Sequence, residues 1–477
     1  MKKNYNLLFI FTDEQRTDTL GYSGNKQIST PNMDKLAEDA CYFSNCYDTQ
    51  PVCTPARGTL LTGLFPHNSK ATCNNAFLGN DVKTLAEMLD NDVYKARGYI
   101  GKWHLGDELV CQHGFNHWVS VEDMYCKYHS KEEYQELLSD YHNYLIDNGF
   151  TPNLKTEKHT VFSRDYSNDM PDKFTKTAFV ADKTIDYITE HKDENFVAFV
   201  NFLDPHPPIT GPLNDMYDPE KIELPSLFSE FPDKNSPLRH HSMKKFIENQ
   251  LGSEQEWRKY IARYMGQVTH VDNHLGRILD SVKENGLEDN TIIVFTSDHG
   301  DMMGDFKLNG KGVQYESSVR VPLIVKIPGV AAQNIDVPFS HIDLIPTILD
   351  AMQTDCNAEL DGESVYSSLK ENKGIPERDV FIEWNPDFVE APCNLTPLDG
   401  VSDDVIFNAS KASMRTVLSG DYKLCLSDYG DHQLYNISEP LGETINLYNK
   451  EEYKTIIKEL SEKIYKWQEK TKDNVSL

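Results

Sequence analysis

The chain reads Pro51-Val52-Cys53-Thr54-Pro55-Ala56-Arg57-Gly58-Thr59-Leu60-Leu61-Thr62-Gly63 over residues 51–63, or C-x-P-A-R-x-x-x-L-T-G as a pattern. A free cysteine is most often buried as a small apolar side chain, and a short pattern of this kind also arises by chance. Cys53 therefore indicates chemistry only if the other groups of a reactive site occur elsewhere in the chain, at positions that the fold brings together.

Length and composition bound the class of protein. The 477 residues allow one large α/β domain and a smaller second one, and 39% hydrophobic with 26% charged residues is ordinary for a globular protein. No apolar run approaches the roughly 18 residues that a membrane-spanning helix needs. The run over residues 7–11 is too short for the core of a signal peptide, so we expect a cytoplasmic protein. The net charge of −28 excludes nucleic acid and anionic membranes as partners, because both demand a basic surface.

The cysteines are odd in number and show no C-x-x-C spacing. A disulfide framework or a zinc site would need paired spacing, so free thiols in a reducing compartment are expected. The nine are Cys41, Cys46, Cys53, Cys73, Cys111, Cys126, Cys356, Cys393 and Cys425.

Short continuous apolar runs predict buried parallel strands. Apolar side chains at three- and four-residue spacing over residues 254–285 predict a long amphipathic helix that ends at Gly286. Strands separated by helices predict an α/β fold with a mostly parallel sheet flanked by helices. The predicted strands cover residues 7–11, 196–202, 291–296 and 321–327.

Polar residues follow three of these strands directly. Functional loops collect at the carboxyl ends of parallel strands, so these side chains are expected at one edge of the sheet. Carboxylate oxygens suit Ca²⁺ or Mg²⁺, and we predict a cage for one divalent metal that residue 53 completes. A nitrogen ligand in the cage weakens the preference for calcium. The predicted ligands are Asp13, Glu14, Asp298 and His299, with Cys53 as the fifth, and Asp204 and His206 follow the remaining strand.

Several short motifs follow one another along the chain: Asp13-Glu14, the Cys53 pattern, Gly101-Lys102-Trp103-His104-Leu105-Gly106, Asp204-Pro205-His206-Pro207-Pro208, Ser297-Asp298-His299-Gly300, Lys311, Tyr315-Glu316 and Arg320-Val321-Pro322-Leu323. Their identity and order resemble the type I, formylglycine-dependent sulfatases of the alkaline phosphatase superfamily. Glu14 and His299 depart from the aspartate and asparagine that are commoner in that family. The resemblance covers residues 5–350, and residues 414–447 are similar to the family's small C-terminal domain.

The resemblance implies a fold and a division of the chain. Residues 1–374 would form an alkaline-phosphatase-like catalytic domain with a mostly parallel sheet flanked by helices. Residues 375–477 would form a smaller C-terminal α+β domain, with an antiparallel sheet and a closing helix over residues 450–470.

The resemblance also implies a chemistry centred on Cys53, oxidised to formylglycine. One hydroxyl of the hydrated aldehyde attacks sulfur and gives a sulfated-enzyme intermediate, and the second hydroxyl later expels the sulfate. Asp298 would be the activating base, and Arg57 would hold the loop and the second hydroxyl. The oxidation requires a partner, either a formylglycine-generating or an anaerobic sulfatase-maturating enzyme.

Four further side chains would handle the sulfate and the protons. Lys102 and Lys311 are placed to neutralise the sulfate oxygens, and His206 or Lys311 would protonate the departing sugar oxygen. Substrate binding is thus assigned to Lys102, His206 and Lys311. His104 would be the base for the final elimination. The cofactor would be one divalent metal, with Ca²⁺ favoured over Mg²⁺.

The implied function is hydrolysis of a sulfate ester on a small sulfated substrate, such as a sugar or an oligosaccharide of glycosaminoglycan or mucin. The acidic body repels long polysulfated chains, so a local cationic pocket and exo action are expected. One alternative is a phosphonate or phosphate ester hydrolase of the same superfamily. Another is a non-catalytic sulfate-binding protein with unmodified Cys53.

Three further features of the sequence are less specific. His67 resembles a family histidine near the formylglycine helix, but it could equally cap a helix end. Residues 209–253, with Arg239-His240-His241, show weak periodicity and are predicted to form a pocket rim that selects the sugar. Residues 113–118 are either an aromatic wall of the pocket or part of the core.

Overall fold

The structure is a computed structural model, and it describes residues 4–122, 126–151, 153–155, 160–162, 170–354, 356–386 and 395–477. Of the helices in these ranges, none combines the length and the apolar character that a membrane span requires. Seven cysteines of the described part are free thiols, as predicted. The side chain of Cys126 and the whole of Cys393 lie outside it.

Fifteen strands form three sheets within the described residues. In chain order they are β1 (Asn6–Thr12), β2 (Cys41–Tyr47), β3 (Ala96–Gly101), β4 (His117–Ser120), β5 (Asn153–Lys155), β6 (Thr160–Phe162), β7 (Phe196–Phe202), β8 (Thr291–Ser297), β9 (Arg320–Lys326), β10 (Gln333–Ile335), β11 (Phe339–Ser340), β12 (Val380–Trp384), β13 (Met414–Ser419), β14 (Tyr422–Ser427) and β15 (Gln433–Asn436).

The central sheet has nine strands, ordered β10-β2-β9-β8-β1-β7-β3-β4, with β11 also paired to β2. Strand β1 lies parallel to both β7 and β8, and β3 lies parallel to β7. Strand β9, however, is antiparallel to β8 and β2. Only short helical turns separate β8 from β9, whereas a parallel return usually needs a long crossover helix. The predicted strand over residues 321–327 therefore exists but runs in the opposite direction.

The middle strands of this sheet are buried along their whole length, as their continuous apolar sequences require. Successive side chains of β1 alternate between two hydrophobic clusters: Leu7 and Phe9 belong to one, Leu8 and Ile10 to the other. The two clusters occupy the two faces of the sheet. The sheet is thus the centre of a layered α/β fold.

Fourteen helices of the described residues surround the sheets. The longest begins with a capping box formed by Ser253 and Glu256, and Gly286 follows its end with a φ of 70°. The helices are α1 (Pro31–Glu38), α2 (Cys53–Thr62), α3 (Pro66–Ser69), α4 (Leu85–Met88), α5 (Glu132–Gln135), α6 (Asp140–Asp147), α7 (Lys176–Glu190), α8 (Leu238–Glu248), α9 (Glu254–Glu284), α10 (Glu316–Val319), α11 (Leu344–Ala351), α12 (Tyr366–Glu371), α13 (Asp403–Ser410) and α14 (Lys454–Thr471).

The C-terminal region carries a second sheet, β12-β13-β14-β15, in which all pairs are antiparallel. Helix α14 packs on it, since Leu460 and Ile464 share a cluster with Val417 and Leu424. The predicted antiparallel sheet and closing helix are both present. All four strands lie beyond residue 375, and the division at that residue stays a prediction.

The structure defines two segments, residues 209–253 and 113–118, whose place the sequence alone did not determine. The predicted rim over residues 209–253 contains helix α8, whose buried face includes Arg239, His240 and Ser242, and this polar face hides the helical period. Within residues 113–118, Phe115 is buried and Trp118 stacks on Tyr99 at 5.0 Å between ring centroids. These two aromatic residues pack with the hydrophobic core, so the core alternative is the correct one for them.

Candidate active site

The candidate catalytic residues gather where β1, β7 and β8 end, beside the first turn of α2. Asp13 follows β1 directly, and Asp298 follows β8 and donates its backbone N–H to the carbonyl of Thr12 at 3.0 Å. Cys53 is the first residue of α2 and is 1% exposed. The parallel arrangement of the strands thus brings together residues that lie far apart in the sequence.

Arg57 ties these elements together from one turn into α2. Its guanidinium is fully buried, and Nη2 lies 2.8 Å from Asp13 Oδ2 and 3.0 Å from Asp298 Oδ2. Nη1 donates to the carbonyl of Lys102 at 2.6 Å and to Asn201 Oδ1 at 2.9 Å. One side chain therefore fixes the ends of four segments relative to Cys53.

Four buried residues form a group that could hold a metal ion: Asp13, Cys53, Asp298 and His299, whose ligand atoms all lie within 4.8 Å of one another. Cys53 Sγ is 3.3 Å from His299 Nε2 and 3.7 Å from Asp13 Oδ1. His299 Nδ1 lies 2.9 Å from the carbonyl of Gly300, which can only accept, so Nδ1 carries the hydrogen and Nε2 faces the group. Carboxylate oxygens with one imidazole nitrogen fit a divalent cation.

Glu14 lies beside this group rather than inside it. Its Oε2 is 2.6 Å from Lys311 Nζ and 3.6 Å from His206 Nε2. Glu14, Asp13 and His206 form a second, adjoining group with metal-ligand spacing. The predicted cage is therefore compact for four of its five members, and Glu14 links it to His206 and Lys311.

Lys102 and His104 approach Cys53 from the segment after β3. Lys102 is fully buried and its Nζ donates to Asp13 Oδ2 at 2.7 Å. The carbonyl of His104 accepts from Thr54 Oγ1 at 2.7 Å, which places residue 104 against the start of α2. His104 has a φ of 57°, and its Nε2 is 3.0 Å from Asn75 Oδ1.

The carboxylates and cations of the site shift one another's pKa values. Burial alone would raise the pKa of Asp13, but Lys102, His206 and Arg57 hold it well below the ordinary value. Burial raises the pKa of Glu14 to about 8 even though Lys311 opposes the shift. Burial opposes protonation of His299, yet the charges of Asp298 and Cys53 raise its pKa to about 10. Opposed shifts of this size are typical of functional sites.

Some residues of the site were not singled out from the sequence. Asn201 accepts a hydrogen bond from Arg57. It is a polar residue inside the otherwise apolar strand β7, and this exception in the sequence could have identified it. Glu108 is buried and accepts the backbone N–H groups of Trp103 and His104 at 2.7 and 2.6 Å. A glutamate in a loop gives no such signal, because its burial depends on the tertiary fold.

His67 lies where the large central-sheet region meets the C-terminal region. Its Nδ1 lies 2.5 Å from Glu383 Oε1, and its Nε2 lies 3.0 Å from the carbonyl of Thr471. Burial opposes the charged form, but Glu383 raises the pKa of His67. His67 therefore connects α3 with β12 and the end of α14.

The comparisons with known proteins agree with this geometry. A family model described as Sulfatase matches residues 5–354. The chain belongs to the sulfatase family. It is a sulfuric ester hydrolase, and the resemblance read from its motifs is confirmed.

Relatives of this sulfatase match nearly the whole chain. The uncharacterized sulfatase YidJ of Escherichia coli K12 is 27% identical over 488 residues, 99% of this chain and 88% of the relative. An N-acetylglucosamine-6-O-sulfatase of Bacteroides thetaiotaomicron is 26% identical and covers 99% of this chain and 88% of its own length. The C-terminal region is thus shared with these relatives.

A solved structure of the phosphonate monoester hydrolase of Silicibacter pomeroyi superposes with a TM-score of 0.79 at 23% sequence identity, covering 98% of this chain and 96% of the other. This likeness concerns the fold alone. With the two sheets described above, it confirms the predicted fold class.

Proposed function

We propose that this sulfatase hydrolyses the sulfate ester of a small sulfated carbohydrate, with residue 53 acting as formylglycine. The observation that carries the proposal is the position of Cys53 at the start of α2, within one group of buried ligand atoms with Asp13, Asp298 and His299. One relative is an N-acetylglucosamine-6-O-sulfatase, and its name supports a sugar substrate.

In this proposal Asp13, Asp298, His299 and residue 53 would hold one divalent metal, and Glu14 lies beside this group of residues. Calcium is favoured because oxygen ligands dominate, and magnesium is the alternative. The ion would supply positive charge that favours the ionised form of the attacking hydroxyl. Arg57 keeps the two aspartates in place.

The first half of the reaction transfers the sulfuryl group to the enzyme. One hydroxyl of the hydrated residue 53 gives its proton to Asp298 and forms a bond to sulfur, while the ester S–O bond breaks. Lys102 and Lys311 face the sulfate oxygens. The imidazolium form of His206 gives a proton from Nε2 to the departing sugar oxygen. Its Nδ1 donates to the carbonyl of Pro207 at 2.7 Å, so Nε2 is the nitrogen that faces Glu14 and the site.

The second half releases sulfate and restores the residue. The remaining hydroxyl gives its proton to His104, the carbon–oxygen bond to sulfate breaks with its electrons on sulfate, and the aldehyde forms again. Water then adds to the aldehyde and regenerates the hydrate. Of the two protons then held by Asp298 and His104, one returns to His206 and one leaves to solvent. The net reaction consumes one water and gives the alcohol, sulfate and one proton, and no water attacks sulfur directly.

Conversion of Cys53 is the step to test first. Mass spectrometry of the peptide around Cys53, taken from the native host, is expected to show the mass of formylglycine. An intact thiol in every molecule would remove the nucleophile and would favour the non-catalytic sulfate-binding alternative. The maturating enzyme would have to act in the compartment of this protein, and cytoplasmic localisation stays a prediction that cell fractionation tests.

A phosphonate or phosphate ester hydrolase is the second candidate function, because the structural neighbour quoted above has that activity in its name. Comparing kcat/KM for an aryl sulfate and an aryl phosphodiester on one preparation separates the two. We expect the sulfate to be the better substrate, and a clear preference for the phosphodiester would contradict the proposal.

A further inference from the structure

Arg239 differs from the other buried basic residues of the described chain. Arg16, Arg57, Lys102, Lys176, Lys244, Arg415 and Lys423 each have a carboxylate within 4.0 Å. Arg239 is 5% exposed, yet no ion pair joins it to any described carboxylate. A buried charge without a counter-charge is costly, and such residues are usually retained for a function.

The contacts of Arg239 hold the guanidinium in place without neutralising it. Nη1 donates to the carbonyl of Gly312, and the group lies over the ring of Trp384 at 3.9 Å from its centroid. The buried Nε has no hydrogen-bond partner among the described residues. Burial accordingly lowers the pKa of Arg239 to about 9. Its position in the first turn of α8 adds the positive end of a helix dipole.

Arg239 is linked to the proposed catalytic residues through both of its neighbours, Gly312 and Trp384. Gly312, which it contacts, follows Lys311, and Lys311 reaches Glu14 at 2.6 Å. On the other side, Trp384 precedes Asn385, whose amide donates to Gln50 Oε1 at 2.8 Å, three residues before Cys53. The guanidinium therefore lies between the loop that carries Lys311 and the end of β12, whose following residue contacts the segment before Cys53.

We propose that Arg239 binds a second anionic group of the substrate, a carboxylate or an additional sulfate that is not cleaved. This proposal rests on the proposed function, because it names the substrate class as a sulfated sugar with another acidic substituent. An acidic oxygen group would give Arg239 the counter-charge that the described residues do not provide. It would also explain how a body with a net charge of −28 selects a doubly anionic ligand.

The test is direct binding to full-length protein carrying Cys53→Ala, which prevents turnover. Isothermal titration compares two matched pairs of probes: glucosamine 2-N,6-O-disulfate with N-acetylglucosamine 6-O-sulfate, and glucuronate 2-sulfate with glucose 2-sulfate. The first pair tests an additional sulfate and the second a carboxylate. In at least one pair, the member with the second anion should bind about 10- to 100-fold tighter, the range of a charge-assisted hydrogen bond.

Arg239→Met should reduce that ratio to about one. Lys245→Met is the matched control, because Lys245 lies on the same helix but pairs with Asp399 at the surface, and it should keep the ratio. Arg239→Met should also melt no lower than the parent protein, since it removes an uncompensated buried charge. An unchanged ratio in Arg239→Met, no preference in either pair, or a clear fall in melting temperature would overturn the proposal. Activity on a plain aryl sulfate tests the proposed function separately.

Discussion

Replacing Arg57 with methionine is the sharpest test of how the site is held together. Methionine fills a similar volume, so the main effect is the loss of charge and hydrogen bonds. Asp13 and Asp298, both fully buried, then lose the guanidinium that lies 2.8 and 3.0 Å away. Asp13 keeps its ion pair with Lys102, but among the described residues Asp298 has no other Lys or Arg partner. Removing one partner of a buried ion pair costs about 3–5 kcal/mol, because the remaining charge loses its counter-charge while it stays buried. At roughly 2 °C per kcal/mol for a large domain, the melting temperature should fall by about 6–10 °C.

The measurement is thermal melting of chelated protein, so that no bound cation compensates the two aspartates. Lys70→Met is the matched control, since it removes a cation whose ion pair with Asp81 lies at the surface, with side chains 58% and 70% exposed. That variant should melt close to the wild type. If Arg57→Met also melts within about 2 °C of the wild type, the aspartates are not dependent on Arg57 and the reasoning is refuted.

The other predictions concern the chemistry, the metal, the pH and the substrate. Cys53→Ser should lose at least about 10³-fold in kcat yet retain one sulfate per chain by mass spectrometry, because serine has no second hydroxyl to expel it; repeated turnover would contradict the mechanism. Chelation should abolish activity, and added Ca²⁺ should restore more of it than Mg²⁺; a chelated enzyme with full activity would exclude a metal role. Burial opposes protonation of His270, but Asp172 raises its pKa to about 8, above the unfolded value near 6.5. The pair should therefore stabilise the fold fully below pH 6.5 and lose that contribution as the pH rises past 8. The contribution is at most about 1 kcal/mol because Asp172 is largely exposed, and Asp172→Asn should flatten the melting profile over this range. Finally, short sulfated oligosaccharides should be cleaved from the end, and robust desulfation inside long heparin-like chains would contradict exo action.

The strands were predictable because the central sheet is covered on both faces. Burial on both sides requires continuous apolar runs, and these gave β7 at its observed bounds and β1 and β8 within a residue or so at each end. The direction of a strand was harder to predict, because it depends on the length of the connecting segment rather than on the sequence of the strand itself. The antiparallel β9 is the case in point.

The side chains around Cys53 were predictable from one topological rule. Parallel strands present their carboxyl ends at the same edge, so residues after β1 and β8 had to meet. Residues that reach the site from elsewhere could not be placed this way. Trp384 lies on Arg239, and Glu383 meets His67, only because the C-terminal sheet docks against the central one. Contacts across more than 100 residues leave no periodic signal in the sequence.

The charges around Cys53 explain why so acidic a protein can act on an anion. Three acidic side chains face three basic ones, and the basic ones lie within 3.0 Å of their partners. The formal charge of the six is zero with Glu14 ionised and +1 with Glu14 protonated, the form that its pKa of about 8 favours at pH 7. A divalent cation in the proposed cage would add two positive charges, inside a body of −28. Burial keeps this local charge from being screened. The six side chains are Asp13, Glu14, Asp298, Arg57, Lys102 and Lys311, and a divalent cation would therefore contribute more positive charge toward a sulfate than their own small net charge.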